Sequence, residues 1–413
     1  MERSERPRLL AVLPDHPGTP DMGSRIRNLR ILEALAGTFD LTTITLVHDP
    51  AHLHAPGPIA GLGEWVPVLA PHRRGLLSRA YWHLAARRAE RREGLWRETF
   101  FQSFPVLGET VARTLTRIRP HLVHVAYWYT LRHLPSLPRP PLWVVDTHDV
   151  QFERQEKLFG RHSERERRAE IAQLERFDRV IAITEEDRRS FRRVLRSDLP
   201  IEVIPMGLDL ANWRRDRIEV PPTRQPRVLY YGNLSTGPNQ IAARHLLHDL
   251  LPPLARAGVG FEALLLGASP PPDLRDTTCP FPLEVTGFVE DVRPWLASAA
   301  VFALSLRAGS GQRGRVLEAL ALGTPVVAYP EAIHGLDLAP GEGLLVAGSD
   351  VEFRDGLRGL IEDPARAREL GEAGRAAVAG RYGWDATYGR FPRLYEQWLR
   401  ESGFSETGVP AIG

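Results

Sequence analysis

The stretch LSLRAGSGQRGRVLEALALGTPVVA, residues 304–328, carries the most specific pattern in the chain. An apolar run ends near Leu306, a loop with glycines at 309 and 311 follows, a helix is expected from about Gln312, and a second apolar run occupies 325–328. Glycines permit positive φ and close approach of a ligand to the backbone. The free amides and the dipole at a helix start favour an anion. The pattern therefore predicts a strand–loop–helix unit that binds a phosphate or diphosphate.

Charged side chains surround this loop. Arg307, Arg313 and Arg315 can each contact phosphate oxygens, and a guanidinium can do so with two parallel hydrogen bonds. Glu318 lies one turn into the helix, where its carboxylate can accept hydrogen bonds from a ribose diol. The alternative is a plain surface ion pair between Arg315 and Glu318, three residues apart, and the spacing alone does not decide between the two.

Short apolar runs alternate with longer amphipathic stretches on both sides of this unit, which predicts βαβ units and parallel sheets. Before a proline-rich linker at 213–226, we expect strands at 9–13, 40–47, 122–126, 142–146, 179–183 and 201–204, and helices at 24–35, 105–118, 162–176 and 185–195. After it, we expect strands at 227–231, 261–266, 283–286, 300–304 and 325–328, and a helix near 239–255. A last helix at about 384–400 carries an aromatic face that must be buried, and a return across the first half is one solution. The fold class is α/β, with ligands bound outside the carboxyl ends of strands.

Composition excludes several classes of protein. A length of 413 residues suits two or three domains, and 43% hydrophobic with 25% charged residues excludes a chain that is disordered throughout. A net charge of +2 gives no support for nucleic-acid binding. A single cysteine excludes an intramolecular disulfide and a cysteine-based zinc site. Since we find neither a signal-peptide core nor an apolar run of roughly 20 residues, we expect a cytoplasmic protein.

Residues 305–327 resemble the donor-site signature of family 4 glycosyltransferases, which have the GT-B fold, and in particular the exopolysaccharide-type sugar transferase branch. The wider family has two glutamates eight positions apart, of which Glu318 is the second, while Ser310 occupies the first position. Backbone amides near 309–311 are expected to replace the missing side chain. Arg315 stands where the branch has lysine. The other matching positions are Arg307, Gly309, Gly311, Arg313, Leu317, Ala319, Gly323, Pro325, Val326 and Val327.

Five further segments resemble motifs of this family in the same order. Residues 20–27 are similar to its glycine loop, although a simple strand–helix turn is the alternative. Residues 146–149 (DTHD) are similar to its D-x-H-D motif, although a lone histidine is often structural. Residues 204–209 resemble its interdomain motif, with Met206 in the asparagine position. Residues 232–239 and 286–292 resemble the opening of its second domain and the loop beside the base.

The resemblance implies two Rossmann-like domains facing a cleft: an acceptor-side domain at 1–205, a nucleotide-sugar domain at 206–383, and a crossover helix with a tail at 384–413. It implies a retaining transfer from a nucleotide-diphosphate sugar to a carbohydrate or lipid-linked saccharide, in bacterial exopolysaccharide or glycolipid assembly, with neither cofactor nor metal. It assigns catalysis to His148, Asp149, Arg313 and Glu318. It assigns binding of the acceptor to Arg25 and Arg27. It assigns the donor to Gly23, Gly232, Asn233, Asn239, Phe288, Val289, Arg307, Gly309, Ser310, Gly311, Arg315 and Leu317.

The wider family places an arginine and a lysine near residue 232 for the diphosphate, and this chain has neither. We expect Arg307, Arg313 and Arg315 to compensate. The Arg313→Ala substitution should then raise the donor KM or abolish turnover.

Residues 72–104 mix eight arginines with leucines and aromatic residues. This composition is typical of a helix that lies on an anionic membrane, and the protein would then be peripheral on the inner face of the plasma membrane. The alternative is a surface helix whose apolar side packs on its own domain.

Two other functions remain open. A GT-B nucleotide-sugar 2-epimerase would act on the donor without an acceptor. A catalytically inactive nucleotide-sugar-binding protein would explain the departures at Ser310 and Met206. A nicotinamide-dependent dehydrogenase is disfavoured, because no G-x-G-x-x-G follows the first strand.

Overall fold

The computed structural model describes residues 6–17, 23–93, 97–139, 141–160, 164–307 and 314–403. The chain divides into two compact units. The first comprises the residues up to Met206 and those from Thr387 onward, and the second comprises Gly207–Ala386. Each unit has its own parallel sheet and hydrophobic core. The α/β class with two doubly wound sheets is therefore confirmed.

The first sheet contains seven strands: β1 (Arg8–Leu13), β2 (Asp40–Val47), β3 (Glu64–Leu69), β4 (Leu122–Ala126), β5 (Leu142–Asp146), β6 (Arg179–Ala182) and β7 (Ile201–Val203). They pair in parallel in the order β3-β2-β1-β4-β5-β6-β7, so the order reverses between β1 and β4. The sequence patterns do not predict β3, because Pro67 lies inside it. Because β3 is an edge strand, the absence of an amide hydrogen on proline is tolerated there.

Seven helices accompany this sheet: α1 (Gly23–Ala36), α2 (Leu76–Glu93), α3 (Arg97–Phe101), α4 (Pro105–Ile118), α5 (Gln151–Phe159), α6 (Glu164–Leu174) and α7 (Glu185–Arg192). The expected helices at 24–35, 105–118 and 185–195 correspond to α1, α4 and α7. Helix α4 begins on Pro105, which needs no hydrogen-bond partner for its nitrogen at a helix start.

The second sheet contains six strands: β8 (Arg227–Tyr231), β9 (Glu262–Leu266), β10 (Leu283–Gly287), β11 (Val301–Leu304), β12 (Val326–Ala328) and β13 (Leu344–Val346). They pair in parallel in the order β10-β9-β8-β11-β12-β13. The order reverses between β8 and β11, which is the switch point where such sheets bind ligands. The edge strand β13 has three residues, too few to show a periodic pattern.

The remaining helices are α8 (Gly237–His245), α9 (Leu251–Arg256), α10 (Pro272–Arg275), α11 (Arg293–Ser298), α12 (Gly314–Ala321), α13 (Asp350–Glu362), α14 (Pro364–Tyr382), α15 (Trp384–Thr387) and α16 (Arg390–Glu401). A π turn at Leu246–Leu250 joins α8 to α9, next to two prolines that cannot donate helical hydrogen bonds.

The expected single helix at 384–400 is two helices, α15 and α16, separated at Gly389. Helix α16 belongs to the first unit and buries the aromatic face that the sequence predicts, with Phe391, Tyr395 and Trp398 at most 6% exposed. The hydroxyl group of Tyr395 lies 2.7 Å from Nδ1 of His124 on β4. Of the helices in the described part of the chain, none is both long and apolar enough to cross a lipid bilayer.

Candidate functional site

At the carboxyl ends of β8, β9 and β10, glycines at 232, 267 and 287 bring the backbones close together. Any Cβ atom at Gly267 would overlap the carbonyl oxygen of Gly232, and any Cβ atom at Gly232 would overlap the guanidinium group of Arg315. The amide of Gly232 donates to the carbonyl of Leu266 at 3.0 Å, and the amide of Gly267 donates to the carbonyl of Gly287 at 3.1 Å. Both glycines are therefore required by close contacts within the protein, since neither position has room for a Cβ atom.

A cavity of about 1000 Å³ lies beside these strand ends, within the second unit. Five residues that the sequence assigns to the donor or to catalysis line it: Gly232, Asn233, Phe288, Val289 and Glu318. Phe288 is 78% exposed, which is unusual for a phenylalanine and offers an aromatic face to a ligand. A cavity of this size is at the upper end of the range for small-molecule sites.

Of the predicted catalytic residues that the structure describes, Glu318 on α12 is the one that lines this cavity. Its Oε2 atom is buried and has no hydrogen-bond partner among the residues that the structure describes. Burial raises the pKa of the Glu318 carboxyl to about 7, although the nearby Arg315 partly opposes the effect. A buried carboxylate oxygen without a donor is costly, and such groups cluster at functional sites.

Arg315 and Asn239 support the floor of the cavity from below. Nη1 of Arg315 donates to the carbonyl of Tyr231 at 2.8 Å and to Oδ1 of Asn239 at 3.1 Å. The amide of Asn239 donates to the carbonyl of Asn233 and to Oγ1 of Thr236, each at 2.9 Å, and Asn239 is 7% exposed. The structure thus rules out the surface ion pair as the whole role of Arg315, since this side chain fixes the Gly232 turn.

Arg307 is engaged away from the cavity. Its Nη2 atom lies 2.6 Å from Oδ1 of Asp350, and its guanidinium carbon lies 3.8 Å above the ring of Tyr329. The hydroxyl group of Tyr329 donates to the same oxygen of Asp350 at 2.7 Å. The charge of Arg307 is therefore compensated by Asp350 in this structure.

The other residues that the sequence assigns to donor binding do not line the cavity or lie outside the described residues. Leu317 is 2% exposed in the core of the second unit, so its side chain serves packing. Gly23 begins α1, where a Cβ atom would lie 2.8 Å from the terminal methyl group of Met206. Gly309, Ser310, Gly311 and Arg313 lie outside the described residues.

In the first unit, Arg27 is a buried structural residue and not an accessible acceptor contact. Its side chain is 0% exposed and makes two hydrogen bonds to Asp146, from Nε to Oδ2 at 2.7 Å and from Nη2 to Oδ1 at 2.9 Å. Burial disfavours ionisation of Asp146, but the guanidinium group of Arg27 outweighs it and holds the pKa of Asp146 far below its usual range. Arg25 pairs with Asp15 at 2.7 Å and stays partly exposed.

His148 is held in a strained conformation beside this ion pair. Its φ is +59°, a region that side chains other than glycine seldom adopt. Its Nε2 atom lies 3.2 Å from Oδ2 of Asp146 but makes no hydrogen bond there. Burial lowers the pKa of His148, against the effect of Asp146, so the neutral imidazole is favoured.

Tyr127 shares this strain and was not predicted. It directly follows β4, has a φ of +62°, and stacks on His148 with ring centroids 4.3 Å apart. Two neighbouring strands thus end in strained, stacked rings at the carboxyl edge of the first sheet. The position of Tyr127 directly after an expected strand is the one signal that could have found it.

Asp149 follows His148 and lies at the start of α5. Its carboxylate accepts from the side-chain amide of Gln151 and lies 3.6 Å from Nε of Arg154. The loop is held by Glu170 on α6, which is 0% exposed and accepts from the backbone amides of Gln151 at 3.1 Å and Phe152 at 3.0 Å. Like Tyr127, Glu170 was not predicted from the sequence. It supports the loop that carries His148 but lies more than 20 positions from it in the sequence.

No group of three or more histidine, cysteine, aspartate or glutamate side chains arranged to hold a metal ion occurs among the described residues.

Two family models match the chain. The model described as "Glycosyl transferases group 1" matches residues 225–363, in the second unit, and the "Glycosyltransferase Family 4" model matches residues 59–212. A curated relative is 37% identical over 103 residues, which cover 23% of this chain. It is a GDP-mannose-dependent monoacylated alpha-(1-6)-phosphatidylinositol monomannoside mannosyltransferase from Corynebacterium glutamicum. The match spans 27% of that relative's length.

Solved structures resemble the chain over nearly its whole length. Sucrose-phosphate synthase from Thermosynechococcus elongatus has a TM-score of 0.66 at 21% identity, covering 95% of this chain and 100% of that one. Anabaena HepE in complex with UDP has a TM-score of 0.62 at 15% identity, covering 95% and 100%. A glycosyltransferase from Rickettsia africae has a TM-score of 0.61 at 11% identity, covering 96% and 99%. These similarities confirm the GT-B fold class.

Proposed function

The chain belongs to the group 1 glycosyltransferases of the family 4 type, and on that premise we propose that it transfers a sugar from a nucleotide-diphosphate sugar to a hydroxyl group of an acceptor. The observation that carries the proposal is the cavity at the carboxyl edge of the second sheet, into which Glu318 brings an unpartnered buried oxygen.

The chemistry of this cavity suits a nucleotide. The two hydroxyl groups of a ribose are hydrogen-bond donors, and a carboxylate that lacks donors can accept from both. Phe288 and Val289 provide an aromatic and an aliphatic surface for a base. Gly232 and Gly267 line this cavity, so their backbone atoms are groups that a bound sugar or phosphate would meet.

We propose a retaining reaction. The acceptor oxygen would form a bond to the anomeric carbon on the face from which the diphosphate leaves, the bond to the diphosphate oxygen would break, and a diphosphate oxygen would take the acceptor's proton. His148 would donate a hydrogen bond to the sugar or the acceptor as a neutral imidazole. The positive end of α12 and the arginines at 313 and 315 would stabilise the leaving diphosphate, which is the basis for proposing a metal-independent reaction, whereas Arg307 is engaged by Asp350.

We further propose an acceptor of the carbohydrate or lipid-linked saccharide class, in bacterial exopolysaccharide or glycolipid assembly, and a cytoplasmic location. The named activity of the curated relative supports a glycolipid acceptor, although the match covers only part of that protein. Fractionation of cells that produce the full chain tests the location.

A release assay tests the proposed reaction. The protein is incubated with UDP-, GDP- and ADP-sugars, with and without saccharide and lipid-linked saccharide acceptors, in EDTA and then in magnesium. We expect acceptor-dependent release of one nucleotide in EDTA, and a product whose anomeric configuration by NMR matches that of the donor. Conversion of a nucleotide sugar without acceptor would identify a 2-epimerase instead, and nucleotide binding without turnover would identify an inactive binding protein.

A further inference from the structure

One face of α2 exposes large apolar side chains in a cluster. Leu76, Leu77, Tyr81 and Leu84 are 84%, 89%, 63% and 49% exposed. At about 100° per residue, the four side chains lie within roughly 140° of arc on the helix. Isolated exposed leucines are ordinary, but a contiguous cluster on one helix face marks an interaction site.

The opposite face of α2 is already packed. Trp82, Ala86 and Ala89 point in the other direction, and both alanines are at most 6% exposed. The ring of Trp82 lies 5.1 Å from that of Phe104 and 6.2 Å from that of Phe100. The expected packing of residues 72–104 on their own domain is therefore present, and it leaves the leucines out. The exposed cluster is a second apolar surface on the helix.

The exposed face changes character along the helix axis. Arg87, Arg88 and Arg91 continue the arc of the four apolar side chains into the later turns, and all three are exposed. In the part of the chain that the structure describes, these three arginines form no ion pair. The face is thus apolar at its start and positively charged at its end.

We propose that this face of α2 docks on an anionic lipid bilayer. The four apolar side chains would lie below the level of the headgroups, and the three guanidinium groups would contact lipid phosphates. Charge complementarity selects this partner, because an anionic bilayer has negatively charged headgroups directly above an apolar interior. A second copy of the chain would offer the same apolar cluster but also the same positive charges.

Membrane docking would bring the enzyme to an acceptor carried on a lipid. Only this biological role of the docking rests on the proposed function. Binding to vesicles does not depend on sugar transfer, so the two proposals can fail separately.

Vesicle flotation of the full chain tests the docking. We compare phosphatidylcholine vesicles with vesicles that contain about one-third phosphatidylglycerol. The wild-type protein should float with the anionic vesicles only. The Leu76→Ser/Leu77→Ser variant should lose at least tenfold in partitioning, and the Arg87→Gln/Arg88→Gln variant about 25-fold, at about fivefold for each arginine.

Two controls keep the result specific. Ile241 is 68% exposed in the second unit, so Ile241→Ser should bind vesicles as the wild type does. The circular dichroism spectrum and the thermal unfolding of each α2 variant, measured in the same preparation, should match those of the wild type and show that the first unit, which contains α2, is folded. Absence of wild-type flotation, equal flotation with neutral vesicles, or an unchanged partition of the α2 variants would overturn the proposal. Self-association that the leucine variant abolishes, without vesicle binding, would also overturn it and assign the face to a second copy.

Discussion

Replacing Glu318 by glutamine should stabilise the unliganded second unit and weaken nucleotide binding at the same time. Burial raises the pKa of this carboxyl from 4.5 to about 7. At 1.36 kcal/mol per pKa unit, ionising Glu318 in the folded chain costs about 3 kcal/mol more than ionising it in the unfolded chain. The folded pKa is the higher one, so this cost is absent below about pH 4.5, grows up to about pH 7, and is complete above it.

Glutamine has nearly the same shape and does not titrate, so the variant avoids this cost. Scanning calorimetry of the full chain measures the effect on thermal unfolding. The unfolding transition whose midpoint temperature rises when nucleotide is added is assigned to the second unit. At about pH 8 we expect that transition to rise by roughly 6–12 °C relative to the wild type, and the difference should shrink towards about pH 4.5. The Glu284→Gln substitution removes an exposed carboxylate of the same unit and should change stability by less than about 0.5 kcal/mol.

The same substitution removes the proposed acceptor of the ribose hydroxyl groups. A hydrogen bond to a charged group contributes about 1.5–3 kcal/mol, so calorimetric titration should show nucleotide binding weakened roughly 10- to 150-fold. A 2′-deoxynucleotide should bind the wild type more weakly than the ribonucleotide does, and the variant should discriminate less between the two. The reasoning is refuted if the variant is no more stable above pH 7 and binds the nucleotide as tightly as the wild type.

Three other substitutions test separate parts of the structure. Arg27→Met leaves a buried carboxylate without its partner and should destabilise the first unit by about 3–5 kcal/mol in chemical denaturation, whereas Arg25→Met removes a partly exposed pair and should cost at most about 1 kcal/mol. Gly232→Ala would force a methyl group into the guanidinium beneath the turn and should weaken nucleotide binding at least tenfold by titration, while Gly237→Ala, with open space around it, should bind normally. His148→Asn preserves a side chain that tolerates positive φ, so nucleotide affinity should stay constant while the transfer rate falls roughly 10- to 100-fold; an unchanged rate would remove His148 from the reaction.

Sequence patterns predict the sheets well, because each strand is a short apolar run between breakers. The expected strands at 40–47, 122–126, 142–146 and 227–231 have the bounds of β2, β4, β5 and β8. The patterns miss two of the four edge strands: β3, which Pro67 interrupts, and β13, which is very short. The other two edge strands, β7 and β10, correspond to the expected strands at 201–204 and 283–286.

Side-chain roles were harder to predict than elements, because partners distant in sequence decide them. Arg27 resembles a substrate contact until Asp146, 119 positions away, is seen to hold it in the core. Arg307 likewise pairs with Asp350, 43 positions further along the chain. Glu318 could be singled out because its motif is local, with strand, loop and helix following one another within 25 residues, and the structure places it at a cavity.

The central claim is that the cavity beside Gly232 and Glu318 binds a nucleotide. Calorimetric titration of the purified chain with UDP, GDP and ADP, first in EDTA and then in magnesium, tests it most directly. The account predicts micromolar binding of one of the three without metal, weakened in the Glu318→Gln variant. Binding of none of them, or binding that Glu318→Gln leaves unchanged, would contradict it.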